Sequence, residues 1–507
     1  MDDDALSGSV VQWHRKNLRG LSAGSKEKPA STETPQKDLK LESILRNREE
    51  LDRMSGPNAL VYRKLRPNPG PALDGSKTEA VTLSLDDAVR RAVDHNLDVK
   101  VARLAPGISQ AQFEAAEAAF DFVFFLSGSY GRTDRPQPTP VIGGIPVGTP
   151  VRKRNVGLME TGIRKPLESG GAMSLSFGSE YVDDHTPGFS LSPDPSFFND
   201  VTLDLTQPLL RNYGREVNRA QIDLTANLNQ RDRLALRARM LQTVSQVEEA
   251  YWQLAFARQR LIIRQRVLEA TIQTRDTVFN RRELDGGPVQ QAQAQSSVEA
   301  GRRDVLEAQT ALRDAADVLK QLLNDPELPL SGETLVQPSD KPISVDLKVS
   351  LLDAVTTALR RRPAVRSAMT EIKDANIRLK VAENQELPML DLNTQVALVG
   401  LGDGFGSAND QLDDGRFLEY LIGLQFESPF GNRAAEANAR AAKITRTASI
   451  VRYKSAARGV VLQVKQAMRR MRSAWRLIGV NRNARLAAAE NLRALREQAK
   501  TERLTPT

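Results

Sequence analysis

Residues 240–280 read MLQTVSQVEEAYWQLAFARQRLIIRQRVLEATIQTRDTVFN. Apolar side chains recur at heptad spacing along this stretch: Met240, Val244, Val247, Tyr251, Leu254, Leu261, Leu268, Ile272 and Phe279. Such spacing gives the narrow seam of a coiled coil rather than the broader stripe of a globular helix. Arg258, Gln265 and Arg275 fall on the same seam and interrupt it. The stretch therefore predicts a helix that packs against a long partner.

The predicted helix is longer than a compact domain is wide. It extends from Gly214 to Glu283, which is 70 residues, and a helix of that length measures roughly 105 Å. The sequence DGGP at 285–288 follows, and Gly and Pro favour a tight turn. A second helix then returns to Leu323. Residues 214–323 thus form a predicted helical hairpin that must pack along its length against partners or against copies of itself.

Two parts of the chain begin with similar seven-residue sequences. LSLDDAV at 83–89 and VSLLDAV at 349–355 lie 266 residues apart. Ser84 is a predicted N-cap, and Asp87 in the third helical position gives an approximate capping box. Each copy is expected to contain a short helix followed by a longer one. The chain is therefore interpreted as a duplicated unit.

Each copy then changes to alternation of apolar and polar residues. The apolar positions are Phe122, Phe124, Leu126, Tyr130, Val201, Leu203 and Leu205 in the first copy, and Leu390, Leu392, Val396, Leu398, Leu418, Tyr420, Ile422, Leu424 and Phe426 in the second. Segments of about ten such residues suit a strand of a membrane β-barrel. A half-buried soluble sheet gives the same alternation, so the strands alone leave both interpretations open.

A second long helix, with its own apolar seam, follows the strands of the second copy. Aligning the two long helices gives an offset of 217, which is 49 less than the offset between the copies' starts. The first copy must therefore contain about that many additional residues, and they include a hairpin-like segment at 155–182. The predicted organisation is a polar N-terminal segment at 1–80, a first repeat at 81–323, a linker at 324–346 and a second repeat at 347–507.

The ends of the chain give two further expectations. Met1-Asp2-Asp3-Asp4 is acidic where a signal peptide would be basic, so no signal peptide is visible at the start of this sequence. The second repeat ends at its own turn, Arg503 to Pro506, without a returning helix, and is therefore expected to be incomplete. The sequence contains no run of eighteen apolar residues, so no transmembrane helix is predicted.

Composition excludes several chemistries. The chain has no Cys, and its three His are far apart, so neither disulfides nor thiolate metal sites are expected. Gly400, Gly402, Gly404 and Gly406 do not match the phosphate-loop spacing, and we expect a mobile loop there with no helix after it. Residues 431–498 carry 16 Lys and Arg against three Glu, a net charge of +13. A basic helix can bind nucleic acid, but its Arg residues are spread around the helix, and pairing with acidic residues of other helices is preferred.

The sequence resembles the TolC-type outer membrane efflux proteins over residues 81–507. The resemblance rests on the duplicated LSLDDAV start, on the strand exit QPLL at 207–210, and on long coiled-coil hairpins with Gly-containing tips. It implies a homotrimer in which each protomer gives four strands to a shared outer-membrane β-barrel. The long helices would form a shared α-helical barrel across the periplasm, with the short helices as a belt around it. The expected fold class is thus α+β, mainly α.

The resemblance also implies a function. The chain would be the outer membrane channel of a tripartite efflux or type I secretion system, a passive duct for small molecules or proteins. Its expected partners are outer membrane lipid, a periplasmic adaptor and an inner-membrane pump, with no cofactor, no nucleic acid and no catalytic residue. The adaptor is expected at the hairpin tips, formed by Leu284, Asp285, Gly286, Gly287, Pro288, Arg503, Leu504, Thr505 and Pro506. The alternative is a cytoplasmic coiled-coil scaffold.

Overall fold

The computed structural model describes residues 51, 67–73, 75, 79–139, 141–146, 148, 150–187, 191–280, 287–342 and 347–504. Most of the predicted polar segment at 1–80 and part of the linker at 324–346 lie outside these residues. The chain forms two compact units. The first comprises Met1–Leu104, Ala235–Arg366 and Ala456–Thr507, and the second comprises Ala105–Leu234 and Ser367–Ser455.

The described elements follow the predicted order of short helices, strands and long helices in each copy. They are β1 (Ala80–Leu83), α1 (Leu85–His95), α2 (Leu97–Glu117), β2 (Val123–Pro136), β3 (Val141–Ile142), β4 (Ile145–Pro146), β5 (Val151–Pro166), β6 (Ala172–Asp184), β7 (Ser196–Pro208), α3 (Arg215–Asn218), α4 (Ala220–Asn280), α5 (Pro288–Leu323), β8 (Leu335–Pro338), α6 (Leu351–Arg361), α7 (Pro363–Asn384), β9 (Met389–Gly402), α8 (Phe405–Asp413), β10 (Leu418–Glu427) and α9 (Arg433–Leu504). Helix α4 has 61 residues and α9 has 72.

The duplicated start forms the same local structure twice. Ser84 Oγ accepts a hydrogen bond from the Asp87 backbone N–H at 3.1 Å, at the first residue before α1. Ser350 Oγ accepts from the Asp353 N–H at 3.5 Å before α6. A side-chain oxygen at this position satisfies one of the N–H groups that a helix start leaves unpaired. The N-cap predicted from the repeated words is therefore confirmed in both copies.

The predicted coiled-coil seam is the core of the first unit. Val247, Tyr251, Leu254 and Leu261 of α4 are fully buried. They pack in one apolar cluster with residues of α5: Val305, Ala308, Leu312, Ala316, Leu319 and Leu323. Burying each large side chain contributes about 1.5–3 kcal/mol, so the pairing of α4 with α5 has a large apolar basis. The end of the seam is looser, since Phe279 is 40 % exposed.

The short elements of the first unit are tied to this core. Strands β1 and β8 pair in parallel, with Ala80 opposite Leu335. The Arg91 guanidinium of α1 contacts the carboxylates of Asp325 and Glu327, which follow α5. The Asn324 side-chain amide donates to the His95 carbonyl at 3.0 Å. Residues of the interval 324–346 thus pack against the start of the first repeat and act as more than a connecting linker.

The second unit contains a six-stranded antiparallel sheet in the order β10-β9-β7-β6-β5-β2. The additional hairpin predicted at 155–182 is β5 and β6, and it lies inside this sheet between β2 and β7. The resemblance implied four strands from each protomer, and the sheet has six. The difference arises because β5 and β6 make continuous backbone pairing with both neighbours.

The glycine-rich stretch at 400–406 is not the loop that the sequence predicted. A helix does follow it, α8, and this helix packs on β9 and β7. A Cβ added to Gly400 would lie 2.2 Å from the Ala408 carbonyl oxygen, and one added to Gly402 would lie 2.3 Å from Ser407 Oγ. Glycine is therefore required here because the helix backbone lies directly against the strand.

Helix α9 confirms the second predicted long helix. Its Leu486 is fully buried and packs against Leu51, which is 2 % exposed. Trp475 and Ile478 of its seam are exposed, at 39 % and 51 %. Among the described residues, no helix combines the length and the hydropathy that crossing a bilayer requires.

Candidate membrane-facing sheet

The strand register joins the predicted alternations into one continuous apolar face. Phe124 of β2 is opposite Ile163 of β5, which is opposite Leu175 of β6, which in turn is opposite Leu203 of β7. The same face continues through Val396 of β9, opposite Leu203, to Tyr420 of β10. Side chains of directly paired residues lie on the same side of a sheet. The two apolar sets predicted on β2 and on β10 are therefore on one side.

This apolar face is open to the surroundings of the chain. Its β10 residues, from Leu418 to Phe426, are between 58 and 76 % exposed at every second position, and Phe124 and Leu126 of β2 are 70 and 66 % exposed. An exposed apolar patch of this continuity marks a surface that contacts another apolar phase or protein.

The opposite face of the sheet is polar and acidic. Its charged residues are Arg135, Arg152, Arg154, Arg164, Glu160, Glu180, Asp184, Asp200, Asp204, Asp391, Glu419 and Glu427. Arg154 and Glu180 form an ion pair at 3.1 Å. Eight of these charges are acidic and four are basic, so this face is expected to hold water and to favour cations near it.

Helix α8 covers one end of the apolar face. The Asn199 side chain of β7 is fully buried beneath it, donates to the Asn409 side-chain oxygen at 2.8 Å, and accepts from the Ser179 hydroxyl at 2.7 Å. The Phe405 ring meets Phe177 of β6 edge to face, with 6.1 Å between centroids. The buried amide is thus fully engaged and fixes α8 on the sheet.

Few sequence features predict helix α8. Its only signals were Gly400 and Gly402 at strand spacing, and Ser407, whose hydroxyl accepts a hydrogen bond from the Gly404 N–H at 3.0 Å. Two glycines on one face of a strand indicate close approach of another backbone, and this spacing is the sequence feature that distinguishes a packed helix here from a loop.

The predicted tip residues are placed only in part. Gly287 is the N-cap of α5 and Pro288 is its first residue. Pro is favoured at the first position of a helix because its missing N–H would be unpaired there in any case. Arg503 and Leu504 end α9. The other tip residues, Leu284, Asp285, Gly286, Thr505 and Pro506, lie outside the described residues. Within the described part of the chain, no group of three or more His, Asp or Glu could hold a metal ion.

No protein-family model and no curated protein matches the chain. Solved structures do. The chain is similar to the outer-membrane channel OprN, with a TM-score of 0.52 and 18 % identity over 82 % of this chain and 86 % of that one. It is similar to CusC, studied for its folding and transmembrane channel formation, with a TM-score of 0.51 and 16 % identity over 84 % and 91 %.

The CmeC outer membrane channel of Campylobacter jejuni gives a TM-score of 0.50 and 16 % identity over 80 % of this chain and 81 % of that one. These matches extend over most of both chains. The resemblance inferred from the repeated words and the helical hairpin is confirmed at the level of fold. The chain has the fold of the TolC-type outer membrane efflux channels.

Proposed function

We propose that this chain is the outer membrane channel of an export system, a tripartite efflux or type I secretion assembly. It acts as a homotrimer and as a passive duct, and its sheet lies in the outer membrane. The observation that carries the proposal is the apolar face that continues in register across all six strands. The long hairpin of α4 and α5, which packs along an apolar seam, supports a helical passage.

The exposed sheet face argues against the alternative of a cytoplasmic coiled-coil scaffold. A scaffold needs the helical seams but has no use for a sheet that exposes Phe124, Tyr420 and Leu424 to its surroundings. In water such a patch would favour aggregation. In a bilayer the same residues would contact lipid, and every second residue would face a water-filled lumen.

The proposal includes a docking role for the hairpin tips. Residues 284–288 and 503–506 are proposed to meet a periplasmic adaptor, which connects the duct to an inner-membrane pump. Gly287 is the N-cap of α5 and Pro288 is its first residue, a position that favours Pro whether or not a partner binds. Substituting Pro288 therefore confounds folding with docking, and charge changes at Asp285 test docking more directly.

The proposed function is tested by reconstitution. The full chain is refolded into lipid vesicles, its oligomer mass is measured, and its conductance is recorded in a planar bilayer. A trimer with steady conductance is the expected result. A monomeric or non-conducting protein that remains in the aqueous fraction would instead support the scaffold.

A further inference from the structure

The two copies of the repeated unit contribute unequally to the sheet. The first copy supplies β2, β5, β6 and β7, and the second supplies β9 and β10. The hairpin formed by β5 and β6, here called the inserted hairpin, accounts for the difference. It is inserted between β2 and β7, which would otherwise be neighbours, so it adds two strands to the width of the sheet.

The inserted hairpin is an integral part of the sheet. A Cβ added to Gly162 of β5 would lie 2.5 Å from the Leu175 carbonyl oxygen and 2.9 Å from the Phe125 ring of β2. The Asp200 carboxylate of β7 lies across Gly178 of β6, 2.3 Å from a Cβ added there. Both neighbours of the hairpin are therefore in close contact with it, and at Gly162 backbone atoms leave no space for a side chain.

The edges of the sheet are suited to joining copies of this chain. Strands β2 and β10 are the two edges of the described sheet, and neither edge is paired on its outer side there. Six antiparallel strands are an even number, so β2 and β10 run in opposite directions. The β10 edge of one copy can therefore pair antiparallel with the β2 edge of the next, and closing the ring removes every free edge.

We propose that the inserted hairpin widens the outer-membrane barrel. This inference rests on the proposed function, because it takes the assembly to be a trimer. Three copies of a six-stranded sheet give 18 strands, where three copies of a four-stranded one give 12. With a strand spacing of ~4.8 Å and a tilt of ~40°, the barrel diameters are ~36 and ~24 Å.

The wider barrel has a consequence for export. A barrel of about 8 strands is filled by its inward side chains, and barrels of about 16–18 strands leave an open aqueous channel, so 18 strands give a wider lumen than 12. The hairpin's inward side chains include Glu160, Glu180 and Arg154, so the added surface is wettable. The hairpin therefore raises the backbone diameter of the barrel about 1.5-fold, and the width available to cargo increases with it.

The strand register defines a clean deletion. Phe124 and Leu203 lie in one row of paired residues, separated only by Ile163 and Leu175 of the inserted hairpin. Replacing residues 137–190 by a two-residue Asn-Gly turn lets β2 pair directly with β7 and keeps each apolar side chain on its own face. The variant retains four strands and an even strand number.

The experiment measures the barrels of the full chain and of the deletion variant by electron cryo-microscopy in lipid nanodiscs. We expect 18 strands for the full chain and a diameter about 1.5 times that of the variant. A full-length trimer with 12 strands in its barrel, or equal diameters for both proteins, would overturn the inference. If the variant does not assemble, the strand number of the full chain alone decides.

A point substitution gives an independent check. Gly162→Val should disrupt the pairing of β5 with β6 and the contact with Phe125 of β2, because no space exists for its side chain. Gly131→Val of β2 is a matched control with no atom within 4 Å. We expect a lost or narrowed trimer for Gly162→Val only. Equal behaviour of the two variants would count against an integrated hairpin. If the full chain forms no trimer in the membrane at all, the proposed function fails, which is a distinct outcome from a trimer with a narrow barrel.

Discussion

The phenol of Tyr251 donates a hydrogen bond to the carboxylate of Asp340 at 2.7 Å. The same carboxylate oxygen accepts from the Leu85 backbone N–H at 2.6 Å, at the start of α1. The hydrogen bond from Tyr251 and the one from Leu85 both lower the pKa of Asp340. One carboxylate thus joins the buried seam of α4, the first helix of the repeat and the segment after β8.

Tyr251→Phe tests this junction and its pH dependence. The change removes only the hydroxyl, and the Leu83 carbonyl that also contacts it keeps a hydrogen bond from the Ser339 N–H at 3.0 Å. The hydrogen bond whose loss matters in the variant is therefore the one to the Asp340 carboxylate. A carboxyl with a lowered folded-state pKa stabilises the fold above its unfolded pKa, and this contribution is lost as pH falls through the folded pKa. The variant should unfold at lower urea concentration than the parent at pH 7, with the difference shrinking below pH 3.9.

The control for this prediction is Asp340→Asn, whose side chain does not ionise. In that background, Tyr251→Phe should have an effect that does not change with pH. A pH-independent difference in the parent background would show that Asp340 does not contribute through its charge.

The two N-caps should differ in strength. Ser84→Ala and Ser350→Ala each remove the oxygen that caps a helix, which typically lowers stability by about 0.5–2 kcal/mol. The hydrogen bond is 3.1 Å long at Ser84 and 3.5 Å at Ser350, so the first change should have the larger effect. Urea unfolding of both variants measures this, and replacement by Asp, another N-cap residue, should restore stability at either site. An equal loss at the two sites would contradict the geometric ranking.

The fold was predictable where local patterns repeat over long distances. The seam through Val247, Tyr251 and Leu254 predicted the hairpin because heptad spacing depends only on the helix itself and its partner. The position of β5 and β6 was not predictable, because strand order depends on which edges pair and not on alternation. Helix α8 was not predictable for a related reason. Its stability comes from burial against Asn199, which lies far from it in the sequence, and against Gly400 on the strand that it covers.

Substitutions on the two faces of β10 test the membrane assignment. Leu424 lies on the apolar face opposite Leu392, and Gln425 lies on the polar face opposite Asp391. An Arg at the mid-plane of a lipid-facing strand costs about 2–4 kcal/mol. Leu424→Arg should therefore reduce assembly in vesicles, while Gln425→Arg should be tolerated because it faces water. Assembly is measured as the fraction of heat-labile trimer on a gel, and equal damage from both changes would indicate a sheet buried on both faces.

The close approach of α8 to β9 gives the last prediction. Gly400→Ala places a Cβ 2.2 Å from the Ala408 carbonyl oxygen, so the helix must move. Overpacking of this kind costs about 1–3 kcal/mol, and hydrogen exchange at 405–413 should become faster. Gly406→Ala is the matched control within α8, because no atom lies within 4 Å of its added Cβ. Gly406 is the second residue of α8, where replacing Gly by Ala stabilises by less than the about 1 kcal/mol of a helix interior, so the control should slow exchange over the same residues slightly. If both changes act in the same direction, α8 is held to the sheet by Asn199 and Phe405 and not by the contact at Gly400.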